Sequence, residues 1–234
     1  MRAFVYEYIT GGGTFSSASG LTPSGSLLGE GAGMRRALVE DFLRIAGCEV
    51  ETLQDVRVPF DAIPGVNLHP VASPDEERRA FEACCQRVDV ALIVAPEIDG
   101  ALLQRGEWLA DCASTNTRLI QLICRPELVA IASNKQQTAT VLSAAGIPVP
   151  SGGLLENAEQ LLAWQKEMVA KSGSGQSYVL KPLDGAGSWH MKRWKAGDLL
   201  ASAELRFPLR YERFCEGLAA SISLITSDIS GNEP

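Results

Sequence analysis

Midway through its second half the chain reads Tyr178-Val179-Leu180-Lys181-Pro182-Leu183-Asp184-Gly185-Ala186-Gly187-Ser188. Tyr178, Val179 and Leu180 favour β-structure, so the stretch predicts a strand that delivers Lys181 at its end. A lysine is a compact point charge that suits phosphate. The glycines that follow let backbone N–H groups approach an anion closely, because no Cβ stands in the way. The stretch predicts a phosphate-binding loop, with an ordinary hairpin as the alternative.

The loop does not match the best-known phosphate-binding motifs. The chain contains no G-x-x-x-x-G-K-[ST] sequence, which excludes a Walker A loop. Gly185-Ala186-Gly187 leads toward Trp189-His190-Met191, which we interpret as another strand. A dinucleotide-binding fingerprint would continue into a helix instead. Support for the phosphate-binding interpretation must therefore come from the rest of the chain.

Composition and charge narrow the function classes. The 234 residues include 21 basic and 28 acidic side chains, for a formal net charge of −7. Such a chain lacks the basic face that a general nucleic-acid-binding protein needs. No apolar stretch approaches the length of a membrane span, and the first residues do not resemble a signal peptide. We expect a cytoplasmic protein that binds neither nucleic acid nor membrane.

Cysteines and histidines point to no common catalytic or metal site. The six cysteines lack the spacing of a disulfide framework or a metal site, which predicts reduced thiols. The only histidines are His69 and His190, and the sequence places no serine or cysteine partner beside either of them. A nucleophile–histidine mechanism is therefore poorly supported.

Strands and helices alternate through the first half of the chain. We predict strands over 2–9, 48–53, 66–70, 89–95 and 118–123, and helices over 30–46, 74–87 and 99–112. This alternation predicts an α/β domain with a parallel sheet. A long loop rich in glycine and serine begins with Gly11, Gly12 and Gly13, at the carboxyl end of the first strand. Ligands bind at that end of open α/β sheets, so we predict a substrate loop, with a mobile surface flap as the alternative.

The second half predicts an α+β arrangement. Predicted helices cover 126–131, 133–145, 157–171 and a short segment at 196–200, and further predicted strands cover 189–194, 210–214 and 218–226. Helices followed by consecutive strands indicate an antiparallel sheet. We therefore predict two domains, at residues 1–124 and 125–234.

Three separated segments together resemble the ATP-grasp superfamily. Residues 133–135 with 145–150 resemble the Ser-Asn-Lys helix entry and its Gly-Ile-Pro exit. Residues 178–188 resemble the second lysine strand and its glycine loop, and residues 211–217 resemble the hinge that holds adenine. The resemblance implies an N-terminal, Rossmann-like pre-ATP-grasp domain followed by an incomplete α+β ATP-grasp domain.

The resemblance implies an ATP-dependent carboxylate–amine ligase. Such enzymes use ATP and Mg²⁺ to join a small-molecule carboxylate and an amine into an amide, through an acylphosphate. Lys135 and Lys181 would contact the nucleotide phosphates, and Glu212 would accept from the adenine amino group. The γ-phosphate would be covered by the loop of Asp184, Gly185, Ala186, Gly187 and Ser188, and adenine would lie beside the backbone of Phe214 and Cys215.

The N-terminal segment carries a narrower resemblance. Residues 4–13 and 29–31 resemble tyramine–glutamate ligases of methanofuran biosynthesis, which implies a role in cofactor biosynthesis. It adds Glu7 and Glu30 to Gly11, Gly12 and Gly13 as candidate substrate contacts. The sequence leaves the acid, the amine and a homo-oligomeric state open.

Two departures from the family pattern leave an alternative function open. Ala219 occupies the position where family members commonly place a ribose-binding acid. The family's magnesium ligands follow the hinge, where this chain offers only Asp228, Asn232 and Glu233. We therefore expect a fragment of a longer enzyme, a site completed by a partner, or a non-catalytic ATP-grasp-like protein that binds a nucleotide, a small ligand or a partner chain.

Overall fold

The structure, a computed structural model, describes two β-sheets with helices packed against each. It describes residues 1–17, 20, 22–59, 63–172, 175–185, 188, 190–218 and 220–222. The first sheet lies before the predicted boundary at residue 124, and the second sheet lies after it. The division into domains at that residue stays a prediction.

The first sheet is parallel, as the alternating pattern predicts. Its strands are β1 (Arg2–Glu7), β2 (Glu49–Asp55), β3 (Val66–Val71), β4 (Val90–Val94) and β5 (Ile120–Leu122). They lie in the order β3-β2-β1-β4-β5. The helices that connect them are α1 (Gly25–Leu43), α2 (Pro74–Cys85) and α3 (Ala101–Thr115). The chain therefore reverses its direction of travel through the sheet between β1 and β4.

Aromatic rings fill the core between this sheet and its helices. Phe81 of α2 contacts the rings of Phe4 and Tyr6 in edge-to-face geometry, with centroids 5.3 Å apart in both pairs. Trp108 of α3 extends the cluster, at 5.6 Å from Phe81. Edge-to-face pairs add to the stabilisation from buried area. They fix α2 and α3 on one face of β1.

The second sheet is antiparallel, which confirms the predicted α+β arrangement. Its strands are β6 (Gly152–Leu155), β7 (Ser177–Pro182), β8 (Lys192–Lys195) and β9 (Leu209–Arg213), in the order β6-β9-β7-β8. The accompanying helices are α4 (Pro126–Ala132), α5 (Lys135–Ala144) and α6 (Ala158–Ser172). Trp164 of α6 packs on one face, against Tyr178, Trp194 and Tyr211. The opposite face is left for polar side chains.

Three sequence predictions in this half need correction. The helix over 196–200 is wrong: Gly197 has a φ of +101°, which ends β8 in a turn, and a short 3₁₀ turn follows at Ser202–Glu204. Strand β6 was not predicted, because its two glycines are unusual in strands. Of the strand predicted over 218–226, residues 218 and 220–222 are not in a strand, and the rest lie outside the described residues.

The cysteines are thiols, as the sequence predicts. All six cysteines are free, and Cys84, Cys85 and Cys112 are buried. Burial raises the pKa of each of these three thiols, which keeps them protonated. In the described part of the chain, no helix combines the length and the apolar character needed to cross a bilayer.

Candidate functional site

The polar face of the second sheet brings two predicted site residues together. Residues of β7 alternate, so Tyr178, Leu180 and Pro182 are buried, whereas Lys181 is partly exposed. Lys181 pairs in register with Arg210 of β9, and Glu212 lies two residues further along β9. The ammonium group of Lys181 forms an ion pair with the carboxylate of Glu212.

Glu212 holds its negative charge in spite of partial burial. Burial by itself favours the neutral carboxyl, but hydrogen bonds from Lys181 and Arg210 outweigh it and lower the pKa of Glu212. Arg210 Nε donates to Glu212 Oε1 at 2.8 Å, and Arg210 is only 3% exposed. The sheet therefore carries a compact group of two cations and one anion beside Gln136 of α5, which accepts from Arg210.

Lys135 approaches the same face from the start of α5. The side chain of Asn134 caps this helix by accepting from the N–H groups of Gln136 and Gln137, both at 3.0 Å. This cap fixes Lys135 as the first helical residue. Lys135 Nζ donates to the carbonyl oxygens of Asp184 at 2.8 Å and Gly185 at 2.7 Å. The ammonium group therefore sits on the loop that follows β7.

The charges of the two lysines act on each other. The pKa of Lys135 lies below its usual value, and burial is the largest cause. The carboxylate of Asp184 opposes that shift, whereas the positive charge of Lys181 adds to it. Lys181 is therefore near enough for its charge to act on Lys135, although the two lysines are far apart in sequence.

The start of the glycine loop is held against the first sheet. Gly185 N donates to Glu97 O at 2.6 Å, and its φ of +88° is one that glycine adopts without strain. Asp99 N donates to Asp184 Oδ2 at 3.0 Å. Ser188 is exposed with a φ of +61°, and the predicted contacts Ala186 and Gly187 lie outside the described residues.

The hinge residues directly follow β9. Phe214 N donates to Ser177 O at 2.9 Å, so this N–H is already used in the sheet. The guanidinium of Arg193 lies 3.9 Å above the Phe214 ring. Cys215 is exposed, and its backbone N–H has no hydrogen-bond acceptor among the residues described. Cys215 is therefore the hinge residue whose N–H is available to a ligand.

The five candidate substrate contacts near the N-terminus lie on two segments, the end of β1 with the turn after it and helix α1. Glu7 is 1% exposed, and its carboxylate accepts from Ile9 N, Thr10 N and Thr10 Oγ1 at 2.7–3.0 Å. Glu7 therefore closes the turn after β1 and has no free acceptor facing solvent. Gly11, Gly12 and Gly13 are buried, whereas Glu30 is exposed on α1. Their predicted contact with a substrate stays a prediction.

A cavity lies at the carboxyl ends of β1 and β4, and the loop predicted to bind a substrate lines it with Ser16, Ser17 and Ser24; sequence reasoning missed the part of its wall that follows β4. Its volume is about 970 Å³, and its walls include Tyr8 and Ile9 after β1, Ile98 and Asp99 after β4, and Arg206 from the second half. The reversal of strand order between β1 and β4 was the available signal, because ligands bind at such points. A second cleft of about 610 Å³ lies between α5 and β6, beside Arg210.

No described group of side chains fits magnesium. The one cluster of metal-ligating types among the described residues is Glu51, His69 and Cys84. Arg87 Nη2 occupies its centre, 2.6 Å from Glu51 and 3.5 Å from both His69 and Cys84. Magnesium prefers free oxygen ligands, which this cluster does not offer. The predicted candidates Asp228, Asn232 and Glu233 lie outside the described residues.

Sequence comparison gives one match. Residues 48–116 match the family model described as the pre ATP-grasp 3 domain. No curated protein matches the chain in sequence. The matched segment covers β2 to α3 of the first sheet.

Solved structures match over most of this chain. N5-carboxyaminoimidazole ribonucleotide synthetase from Thermotoga maritima aligns over 92% of this chain and 46% of its own, with 14% identity and a TM-score of 0.50. D-alanine–D-alanine ligase from Bacillus anthracis aligns over 93% and 58%, with 14% identity and a TM-score of 0.54. The biotin carboxylase domain of Hydrogenobacter thermophilus 2-oxoglutarate carboxylase, in complex with MgADP, ADP and bicarbonate, aligns over 92% and 44%, with 12% identity and a TM-score of 0.54.

These matches establish the fold. The chain shares the fold of these structures, in agreement with the predicted α/β arrangement followed by an α+β arrangement. It spans about half the length of the solved structures it matches, 44–58% in these three cases.

Proposed function

We propose that this chain belongs to an ATP-dependent carboxylate–amine ligase and supplies its first nucleotide-binding wall. The observation that carries the proposal is the ion pair of Lys181 and Glu212 on the sheet, with Lys135 of α5 bound to the start of the glycine loop that follows Lys181. Two partly buried cations beside such a loop suit a polyphosphate. The ATP-grasp fold supports this reading, because solved structures that share it include a ligase and a protein holding MgADP.

In this proposal each cation exchanges a protein partner for the nucleotide. Lys135 leaves the carbonyl oxygens of Asp184 and Gly185, and Lys181 leaves Glu212, so that both can contact phosphate oxygens. Glu212 then accepts from the adenine amino group, and the backbone of Phe214 and Cys215 lies alongside. The loop of Asp184, Gly185, Ala186, Gly187 and Ser188 covers the γ-phosphate and excludes water.

The proposed reaction has two steps. A carboxylate oxygen of the first substrate attacks the γ-phosphorus of ATP, which gives an acylphosphate and ADP. The amine nitrogen of the second substrate then attacks the acyl carbon, the C–O bond to phosphate breaks, and the amide, inorganic phosphate and a proton are released. The lysines contribute by holding and stabilising the phosphate charge, which requires no protein nucleophile.

Release of ADP tests this function. The chain would be incubated with Mg-ATP and a panel of carboxylates and amines, with ADP and amide both measured. We expect Lys181→Ala to abolish ADP release, whereas Lys171→Ala should leave it unchanged, because Lys171 is an exposed α6 residue that pairs with Glu167. Equal ADP release from wild type and Lys181→Ala would refute the proposal.

A second candidate function is a non-catalytic protein that binds nucleotide through the same face. Calorimetry separates the two. ATP binding that depends on Lys181, without ADP release for any acid and amine, would establish the non-catalytic function.

A further inference from the structure

We propose that Arg210 is a positioning residue for the nucleotide base. It holds the Glu212 carboxylate in place when Lys181 moves to phosphate, and the site therefore selects a purine with an amino group over a purine with an oxo group. This inference rests on the proposed function, because it assigns the selectivity of the same site. Arg210 lies on β9, outside the segments that carry the family resemblance.

The two oxygens of the Glu212 carboxylate have different partners. Arg210 Nε donates to Oε1 at 2.8 Å, whereas Lys181 forms its ion pair with Oε2. When Lys181 leaves for phosphate in the proposed exchange, Oε2 loses its partner and Oε1 keeps its own. Oε2 is therefore the acceptor that becomes free for a hydrogen-bond donor of the ligand.

The Arg210 guanidinium is fixed by acceptors on three segments of the chain. Besides Glu212 on β9, it donates through Nη1 to Gln136 Oε1 on α5 and through Nη2 to Pro150 O before β6, the latter at 3.4 Å. The residue is buried, so a guanidinium that moved away would leave these acceptors without a donor. Arg210 therefore stays in place while its neighbours change.

Lys181 is the cation of this group that can move. Its side chain is 22% exposed, against 4% for Arg210. Among the described residues, Glu212 is the only ion-pair partner of Lys181, and the ammonium group sits on a flexible stem of methylene groups. Its departure breaks one ion pair, and Arg210 spares the carboxylate the cost of being buried without a cation.

Glu212 has to stay ionised to discriminate between bases. An ionised carboxylate only accepts hydrogen bonds, whereas a protonated one also donates. Burial raises the pKa of Glu212, but the hydrogen bonds from Lys181 and Arg210 lower it further than burial raises it. After Lys181 has moved, Arg210 is the partner that keeps the charge. An ionised Oε2 accepts from an amino group and repels the carbonyl oxygen of an oxo purine.

Calorimetry with ATP and inosine triphosphate (ITP) tests the proposal. In ITP a carbonyl oxygen replaces the amino group of ATP, and both carry the same triphosphate, so a general effect of charge cancels in the ratio of their Kd values. We expect wild type to bind ATP at least about tenfold more tightly than ITP. Arg210→Met should lower this ratio at least about threefold. Arg210→Lys should restore part of it, because lysine keeps the charge and loses the fork.

A second background separates positioning from a general structural role. Glu212→Gln should itself lower the ratio, because an amide both donates and accepts. In this background Arg210→Met should leave the ratio unchanged, since Arg210 acts on the base through Glu212. A general disturbance of β9 would lower the ratio in both backgrounds.

Inorganic tripolyphosphate guards against misfolding as an explanation, because it carries the phosphates without a base. Arg210→Met should weaken its binding, since Lys181 becomes the only cation on Glu212 and leaves it less readily. Adding Glu212→Gln should restore the affinity, which a misfolded protein would not regain. Arg36→Lys, which changes an exposed arginine paired with Glu40 on α1, should alter neither this affinity nor the ratio for the two nucleotides.

Three results would overturn the proposal. They are a wild type without preference for ATP, a ratio that Arg210→Met leaves unchanged, and an equal reduction by Arg210→Met in both backgrounds. If Arg210→Met binds neither nucleotide, Arg210→Lys decides, and a ratio equal to that of wild type then counts against the role of Arg210.

The outcome is distinguishable from that of the ligase test, because calorimetry requires no turnover. ADP release that depends on Lys181, together with a nucleotide ratio that does not depend on Arg210, would retain the ligase and remove the positioning role. A preference for ATP that depends on Arg210, without ADP release for any acid and amine, would do the reverse.

Discussion

Lys135 must be charged to bind phosphate, yet its surroundings disfavour the charge. Its pKa lies below the usual 10.5, mainly through burial and further through Lys181. As pH rises through this lowered pKa, the ammonium loses its proton. We therefore predict that ATP affinity falls at a lower pH than an ordinary lysine would give, measured by calorimetry between about pH 7 and 10.

Lys135→Arg provides the matched comparison. Arginine stays protonated throughout this range, so the affinity of this variant for ATP should depend much less on pH. A wild-type affinity that is constant up to pH 10 would contradict the role of Lys135 as a phosphate contact.

Glu212 links the candidate site to stability in acid. Lys181 and Arg210 lower its folded-state pKa in spite of burial. A carboxylate with a lowered pKa contributes stability that is present above its unfolded-state pKa of about 4.3 and is lost as pH falls through the folded-state value. Glu212→Gln should reduce the free energy of unfolding at neutral pH by about 1–3 kcal/mol, since it removes two charge-assisted hydrogen bonds.

The Glu212→Gln variant should also lose less stability on acidification than wild type, as measured by urea unfolding between about pH 7 and 3. Glu216→Gln is the control, because Glu216 is exposed and makes no ion pair among the described residues. Parallel pH profiles for wild type and Glu212→Gln would show that the ion pairs do not stabilise the fold.

Helix α1 contains four glycines, and the surroundings of Gly31 differ from those of Gly29 and Gly33. A Cβ on Gly31 would lie 2.8–2.9 Å from the Glu7 carboxylate, which three hydrogen bonds hold in place. Gly29 and Gly33 have nothing within 4 Å of such a Cβ. Gly31→Ala should destabilise the protein by about 1–3 kcal/mol. Gly29→Ala and Gly33→Ala should each stabilise it by roughly 0.5–1 kcal/mol, because alanine favours helix.

Urea unfolding of the three variants checks this prediction. The expected changes in the free energy of unfolding have opposite signs for the same substitution in one helix. A general effect of alanine on helix stability therefore cannot produce this pattern. A stabilising Gly31→Ala would mean that Glu7 does not pack against α1.

Strong local patterns made most elements predictable. The apolar run of β4 and the Ser73–Pro74 start of α2 place those elements closely, and the Ser73 hydroxyl does accept from Glu76 N. The sequence did not predict β6, because its glycines are needed for contact with a distant strand. A Cβ on Gly152 would lie 2.1 Å from Tyr211 O of β9. Pairing with β9, rather than local propensity, makes this segment a strand.

Some residues of the candidate site could be predicted from the sequence, and others depend on tertiary structure. Lys181 and Glu212 could be found from sequence because strand alternation and a family resemblance mark them. Arg206 could not, because no local motif records that a residue of the second half reaches the end of β4, whereas the cavity that it lines lies where the sequence predicted a substrate loop after β1. The contact of Glu7 with a substrate stays a prediction, and sequence does not reveal that Ile9 and Thr10 donate hydrogen bonds to its carboxylate oxygens.

The two sheets keep separate apolar cores, and α4 lies where the chain passes from one to the other. The core of the first sheet includes Phe81 and Leu109, whereas that of the second includes Leu161 and Trp164. Contacts between the halves include the hydrogen bond from Gly185 N to Glu97 O and the exposed Arg206–Asp99 pair. Polar contacts of this kind hold domains together less strongly than apolar burial does.

We therefore predict that residues 1–133 fold on their own. Helix α4 contacts α3 as well as α5, and its Val129 is 4% exposed, so we expect α4 to stabilise the first half although it follows the predicted boundary at residue 124. Burying a valine side chain stabilises a fold by about 1.5–3 kcal/mol. Urea unfolding should show a cooperative transition for the 1–133 fragment, and a 1–124 fragment should be less stable by about that amount. Equal stability of the two fragments would place the boundary before α4, and a 1–133 fragment without a cooperative transition would show that the first sheet depends on the second.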